Sequence, residues 1–309
     1  MTTRPVAAVD CGTNTTRLLI SDGLTDRVRI SRITGLGRGL EASGALAPEA
    51  IGRVEAALGE FRTIIDEHGV SRVRATATSA ARDASNSAEF FRRAEAALGV
   101  RPELLTGESE GCLTFAGAVR GLDPARGPFL VLDIGGGSTE FSVGSESCEG
   151  VHSTQMGSVR FTERFLLHDP PHAAELSNLF QVLKVHMDEV VTRVPGVREC
   201  ETMVAVAGTA TTIAAVEIGL EPYDPERIEG FVITRAAAED VFRTLATEPL
   251  ATRLHNPGLE PGRADVIVAG AAILVGVMRF LDLDSCVVSE HDILDGMVAS
   301  MLEPERVPW

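Results

Sequence analysis

Lysine is almost missing from this chain of 309 residues: Lys184 is the only one, and arginine supplies the rest of the positive charge. Positive charge is scarce altogether, since 28 Lys and Arg face 44 Asp and Glu and leave a net charge of −16. Broad binding to nucleic acid or to an acidic membrane needs a basic face, so neither partner is expected. A polyanionic substrate would have to be met by local arginine clusters; arginine forks suit phosphate, although a codon bias would produce the same skew. Cysteine is sparse: five, odd in number, scattered, without a C-x-x-C pair. That excludes a zinc cage and predicts free thiols in a reducing cytoplasm. The N-terminal segment reaches Asp10 before a signal-peptide core forms. The longest apolar run, Val266 to Met278, is too short to span a bilayer and reads as a buried helix.

What is present is an ordinary globular composition, 44% hydrophobic and 23% charged, long enough for two cores. Its organising stretch is Phe129-Leu-Val-Leu-Asp-Ile-Gly-Gly-Gly-Ser-Thr-Glu-Phe-Ser-Val143. This reads as strand, tight turn, strand. Gly135, Gly136 and Gly137 let backbone N–H groups approach an anion closely, and Ser138 follows them. Asp133 and Glu140 flank the turn, a pattern that suits a divalent cation bridging protein to phosphate. The opening, Pro5 to Ile20, repeats the construction: Asp10-x-Gly12-x-Asn14-Thr15 lies on Asp133-x-Gly135-x-Gly137-Ser138. An internal duplication explains the match, with one phosphate-gripping hairpin in each half. A third strand-to-turn passage, Thr202 to Ile213, places Gly208 and Thr209 at a helix N-terminus, where exposed N–H groups attract anions.

Between these turns the pattern alternates strands and helices. Ile51, Val54, Leu58, Phe61 and Ile65 mark one helix face, closed by Gly69. Val73 to Arg82 reads as a strand running into a polar turn; Arg82 there is equally a phosphate clamp or a solvated surface arginine. Asn86 with Glu89 predicts a capping box. A helix is expected to begin near Ser109 or Glu110, and spacing does not separate Glu108 from Glu110. The turn-rich break Asp123 to Pro128 sets the boundary, giving domains 1–125 and 126–309, with the last helix free to pack back on the first. His168 and His172 share a turn without a partner at helical spacing, so no metal is expected there. His291-Asp292 lacks the second His and Asp of a metal-phosphohydrolase site.

Five ordered motifs together carry a resemblance: Ala8-Val-Asp-Cys-Gly-Thr-Asn-Thr, Ala77-Thr-Ser-Ala-Ala-Arg82, Asp133-Ile-Gly-Gly-Gly-Ser-Thr-Glu140, Gly208-Thr-Ala-Thr and Pro261-Gly-Arg-Ala-Asp265. The chain resembles the exopolyphosphatase and guanosine pentaphosphate phosphohydrolase (Ppx/GppA) family from Ala7 to about Met301. That implies an α/β fold of two ribonuclease-H-like domains facing across a cleft, as in the actin, sugar-kinase and heat-shock ATPase superfamily. It also implies a choice between the two glutamates: the family pattern Ser/Thr-Gly-x-x-Glu falls on Thr106-Gly-Glu-Ser-Glu110, making Glu110 the base that activates water. By the same resemblance Asp10, Thr13, Asn14 and Arg82 line the cleft from one side. Gly135, Gly136, Ser138, Gly208 and Thr209 line it from the other, with Asp133 and Glu140 holding Mg2+ or Mn2+. The implied reaction is hydrolysis of the terminal phosphate of inorganic polyphosphate; hydrolysis of guanosine pentaphosphate, or a regulator that binds either without turnover, are the alternatives. A homodimer is implied as well. Two departures stand out. Longer members carry a C-terminal helical region that grips long chains, whereas this sequence stops at Trp309, which points to short polyphosphates. An arginine usual before Gly296 is replaced by Leu294.

Overall fold

The computed structural model describes residues 4–305. The chain divides into two compact units: residues up to Gly117 with those from His291 onward, and Ala118–Glu290.

In the first unit, β1 (Val6–Cys11) pairs antiparallel with β2 (Thr15–Ser21), and β2 with β3 (Asp26–Ile33). β4 (Val73–Ala77) and β5 (Glu103–Leu104) extend the sheet in parallel, giving the order β3-β2-β1-β4-β5. β1 is buried along its whole length because both faces of the sheet are covered, which is why its sequence is a continuous apolar run. Ala7 and Val9 join one core with Leu58, Phe61 and Phe90, from the helices Pro48–Glu67 and Ser87–Leu98. Val6 and Ala8, on the alternate face, join Leu113, Ile293, Met297 and Met301. These come from the helices Gly107–Ala118 and Ile293–Leu302.

The second unit repeats this order. β6 (Phe129–Ile134), β7 (Thr139–Gly144) and β8 (Cys148–Thr154) form the antiparallel part. β9 (Thr202–Val206) runs parallel to β6; β10 (Val232–Thr234) and β11 (Ser285–Val288) complete the order β10-β11-β9-β6-β7-β8. The correspondence extends to register. Asp10 pairs Arg17 across β1 and β2, and Asp133 pairs Glu140 across β6 and β7. The irregularity at Ile20/Ser21 in β2 recurs at Val143/Gly144 in β7. The duplication read from two turns therefore covers five strands. The helix Ile267–Leu281, the longest apolar run, is buried on nearly every side in the second core.

Four local expectations need correction. The polar turn after β4 is a short helix, Ser79–Asp83. Asn86 does not cap Ser87–Leu98; its amide instead bridges Leu46, donating to the carbonyl at 2.9 Å and accepting from the N–H at 2.8 Å. The helix carrying Glu110 begins two residues early, at Gly107, because Thr106 accepts the Ser109 N–H. Finally, not every cysteine is a free thiol: Cys11, Cys200 and Cys286 are free and buried, but Cys112 and Cys148 are not free. No helix among the described residues is long and apolar enough to cross a membrane.

Candidate active site

Each unit builds its turn in the same way. In the first, the Gly12 N–H donates to the Thr15 carbonyl at 3.0 Å and closes the β1–β2 hairpin. The Thr13 carbonyl accepts from Gly37 at 2.8 Å, and the Asn14 carbonyl from Thr34 and Gly35 at 2.9 and 2.8 Å. In the second, Gly135 donates to the Ser138 carbonyl at 3.0 Å. Ser158 then donates to the Gly135 carbonyl, Val159 and Arg160 to that of Gly136, and the Arg160 guanidinium to that of Gly137 at 2.7 Å. In both units the segment that follows the third strand ties the turn's carbonyls back. What the turn has left to offer a ligand is N–H groups, the chemistry of an anion-binding nest.

A glycine makes each closure possible. A Cβ on Gly37 would overlap the Thr13 methyl, and one on Gly157 would overlap the backbone of Gly136 and Gly137. The segment Gly35-Leu-Gly-Arg-Gly39, read from sequence only as a turn, thus belongs to the first site, and Gly157 to the second.

Around the first turn, Asp10, Thr13 and Asn14 are all buried. The Asn14 Oδ1 and Ser79 Oγ atoms are buried without a hydrogen-bond partner among the described residues. Buried polar atoms are rarely left so, and a site that binds a ligand is one explanation. Asp10 accepts from Arg17 at 2.9 Å and from the Thr76 hydroxyl at 3.2 Å. Arg17 also pairs with the buried carboxylate of Asp292. Burial raises the Asp10 carboxyl above the usual range, and Arg17 works against it.

Glu110, 9% exposed, sits in the first turn of its helix. Arg82 donates to its Oε2 at 3.3 Å and to the Leu105 carbonyl at 2.7 Å. Glu108 is exposed on the same helix. That helix is fixed at its far end by backbone contact. A Cβ on Gly117 would overlap the Asp292 carbonyl, and one on Gly296 the Leu113 carbonyl. One helix crossing thus locates both Glu110 and Asp292. Arg17 escapes the sequence reading, and Asp292 enters it only in the rejected His291-Asp292 metal site; the signal available is the position of Arg17, seven residues after Asp10 as Glu140 is after Asp133.

In the second unit Asp133 and Glu140 are register partners on one face of β6–β7, both buried. Glu140 accepts from Ser153 at 2.7 Å. Like charges directly opposite each other destabilise a strand pair, so the arrangement favours a cation. An all-oxygen donor set of this kind fits a hard divalent ion such as Mg2+. Thr209 donates to the Ile134 carbonyl at 3.2 Å, which brings Gly208 and Thr209 to the same turn. The Arg263 guanidinium lies against Gly208, where a Cβ would overlap it. Ala207, between β9 and these residues, has φ +64°, a left-handed conformation rare for alanine.

The geometry matches what comparison finds. The Ppx/GppA phosphatase family profile matches residues 20–305. Exopolyphosphatase 2 of Mycobacterium tuberculosis is 39% identical over 313 residues, covering 96% of this chain and 98% of that protein. The crystal structure of the Aquifex aeolicus member of the Ppx/GppA family superposes with a TM-score of 0.81 at 34% identity, over 97% of this chain and 98% of that one. An exopolyphosphatase from Cytophaga hutchinsonii superposes with a TM-score of 0.87 at 27% identity, again over 97% and 98%. With twin glycine turns on a duplicated α/β fold and these relatives over nearly its full length, the chain belongs to the Ppx/GppA phosphatase family and is a phosphoanhydride hydrolase.

Proposed function

We propose that this enzyme is an exopolyphosphatase, removing the terminal phosphate of inorganic polyphosphate, with short chains preferred. The observation that carries the reading is the pair of turns whose carbonyls are tied back and whose amides are left for phosphate oxygens. Phosphoryl transfer to water needs alignment and charge neutralisation more than covalent chemistry. Glu110 orients the attacking water and accepts its proton. Arg82, hydrogen-bonded to Glu110, holds that carboxylate in place and turns a guanidinium toward the charge that develops on phosphate. Thr13, Asn14, Gly135, Gly136, Ser138, Gly208 and Thr209 supply donors to the remaining oxygens. Asp133 and Glu140 would hold Mg2+ or Mn2+, which when bound neutralises phosphate charge. Asp10, paired with Arg17, orders the first turn.

Phosphate release from polyphosphates of defined length and from guanosine pentaphosphate, with and without Mg2+, tests the assignment. Fastest release from short polyphosphate, dependent on Mg2+, is expected. Faster release from guanosine pentaphosphate would move the substrate to the nucleotide, and binding of either without release would make the chain a regulator. Glu110→Gln is expected to lower turnover by about 10²–10⁴ while polyphosphate still binds. Turnover retained in that variant would remove Glu110 from its role.

A further inference from the structure

The turn that carries His168 and His172 belongs to the second unit and has no part in the phosphate site. Its histidines lack a partner at helical spacing, but the structure provides one by a different route. His172 caps the helix Ala173–Arg193, and Glu175, three residues on, folds back over the cap. Its carboxylate accepts the N–H of His172 at 2.8 Å, the N–H of Leu167 at 3.0 Å and Nδ1 of His168 at 2.8 Å. The two imidazoles stack, centroids 3.7 Å apart and planes within 17°. One ring nitrogen from each histidine and one oxygen of Glu175 all lie within 4.8 Å of one another.

The turn is held rigidly. Asp169, beside His168, accepts from the Arg253 guanidinium at 2.8 Å and from the Leu250 N–H at 2.6 Å. Arg253, 2% exposed, also donates to the carbonyls of Leu245, Glu248 and Ala264. A metal entering here therefore finds donors that are already gathered, with less ordering left to do.

We propose that His168, His172 and Glu175 form a binding site for a divalent transition-metal ion of the zinc type, separate from the carboxylate pair at Asp133 and Glu140. Two imidazole nitrogens and a carboxylate oxygen are the donor set that zinc-like ions prefer, whereas magnesium selects oxygen alone. The bond between His168 Nδ1 and Glu175 marks where the ion takes a proton's place. The histidines are exposed, which leaves the ion's further positions to solvent. With no phosphate-binding group among its ligands, the site ties the turn to the helix and takes no part in hydrolysis.

The test is calorimetric titration of the metal-stripped full chain with Zn2+, alongside its melting temperature with and without Zn2+. The expected result is one equivalent bound in the presence of excess Mg2+, with a melting temperature that rises with Zn2+ concentration as ligand linkage requires. His168→Ala alone, at an exposed position outside the helix cap, should weaken binding by more than the ~10–100-fold that loss of a supporting second-sphere residue produces. That variant should melt as the wild type does without metal and hydrolyse substrate at the same rate. Absence of Zn2+ binding to the wild type would overturn the proposal. So would unchanged binding in both His168→Ala and His172→Ala, which would place the ion elsewhere, for instance beside His152 and Glu189.

Discussion

The two units fold the same turn and differ in one charge. Opposite Asp10, across the first hairpin, stands Arg17; opposite Asp133, at the same register in the second, stands Glu140. The first carboxylate is thereby neutralised from within and bound into a buried chain that runs from Asp10 through Arg17 to Asp292. The second faces another carboxylate, an arrangement of like charges that a bound cation would relieve. One ancestral hairpin has become a structural anchor in one half and, on the reading above, a metal holder in the other.

The largest expected effect follows from breaking that contrast on its second side. Glu140→Gln keeps the shape of the side chain and the Ser153 contact, but removes one of the two proposed metal ligands. Losing charge stabilisation of several kcal/mol corresponds to roughly 10³-fold in rate at about 1.4 kcal/mol per decade. A Mg2+ titration should also show half-maximal activity moving to higher concentration. An unchanged Mg2+ requirement would mean that the metal is held elsewhere.

On the first side the same swap should act on stability. Arg17→Gln leaves Asp10 and Asp292 buried with the shared cation gone, and removal of one partner from a buried ion pair destabilises by about 3–5 kcal/mol. The Arg17 side chain is 19% exposed, so the lower end of that range is expected. Denaturant melting would measure it, and the Mg2+ requirement of the folded fraction should stay as in the wild type. If Arg17→Gln instead shifted the Mg2+ requirement, the two hairpins would be sharing one task.

The glycines that close the turns offer a finer comparison. On Gly157→Ala the new methyl meets the backbone of Gly136 and Gly137, which cannot yield without moving the amides proposed to bind phosphate. On Gly37→Ala it meets the methyl of Thr13, a side chain that can turn aside. Overpacking of a tight site costs about 1–3 kcal/mol. Gly157→Ala should fall at the upper end and raise KM for polyphosphate, Gly37→Ala at the lower end with a smaller change in KM. Equal losses would show that the first turn is as rigid as the second.

Much of this was legible in the sequence because the duplicated pattern is local. Asp10 to Thr15 and Asp133 to Ser138 each set a hairpin within a few residues, and strand, turn and carboxylate follow from the spacing. What escaped depends on contacts between residues far apart in the chain. Arg17 and Asp292 meet only because the last helix packs on β1 and crosses the helix Gly107–Ala118 at Gly296 and Leu113, a crossing that no periodicity reveals. Asn86 had the spacing of a cap, yet Leu46 provided a full two-bond partner and took it away. His168 and His172 were tested against helical spacing, whereas the third donor arrives by the back-folding of a capping glutamate.

The smallest effect probes a pair of alanines. Ala77 ends β4 one residue beyond the partner of Asp10, and Ala207 follows β9 one residue beyond the partner of Asp133. Ala77 has no positive φ, because Thr78 separates the strand from the helix Ser79–Asp83. Ala207 lies at φ +64° because the second unit starts its helix directly at the strand end, so as to bring Gly208 and Thr209 to the turn. An alanine in that conformation is strained by about 1–2 kcal/mol, most of which glycine relieves, while glycine loses about 0.5–1 kcal/mol through the greater freedom of its unfolded chain. Ala207→Gly should therefore stabilise the protein by under about 1 kcal/mol. Ala77→Gly, at a fully buried strand position without strain, should destabilise it by about 1 kcal/mol. The opposite signs are what equilibrium unfolding must show: a loss of stability on both substitutions would mean that the second unit reaches the helix of Gly208 and Thr209 without strain.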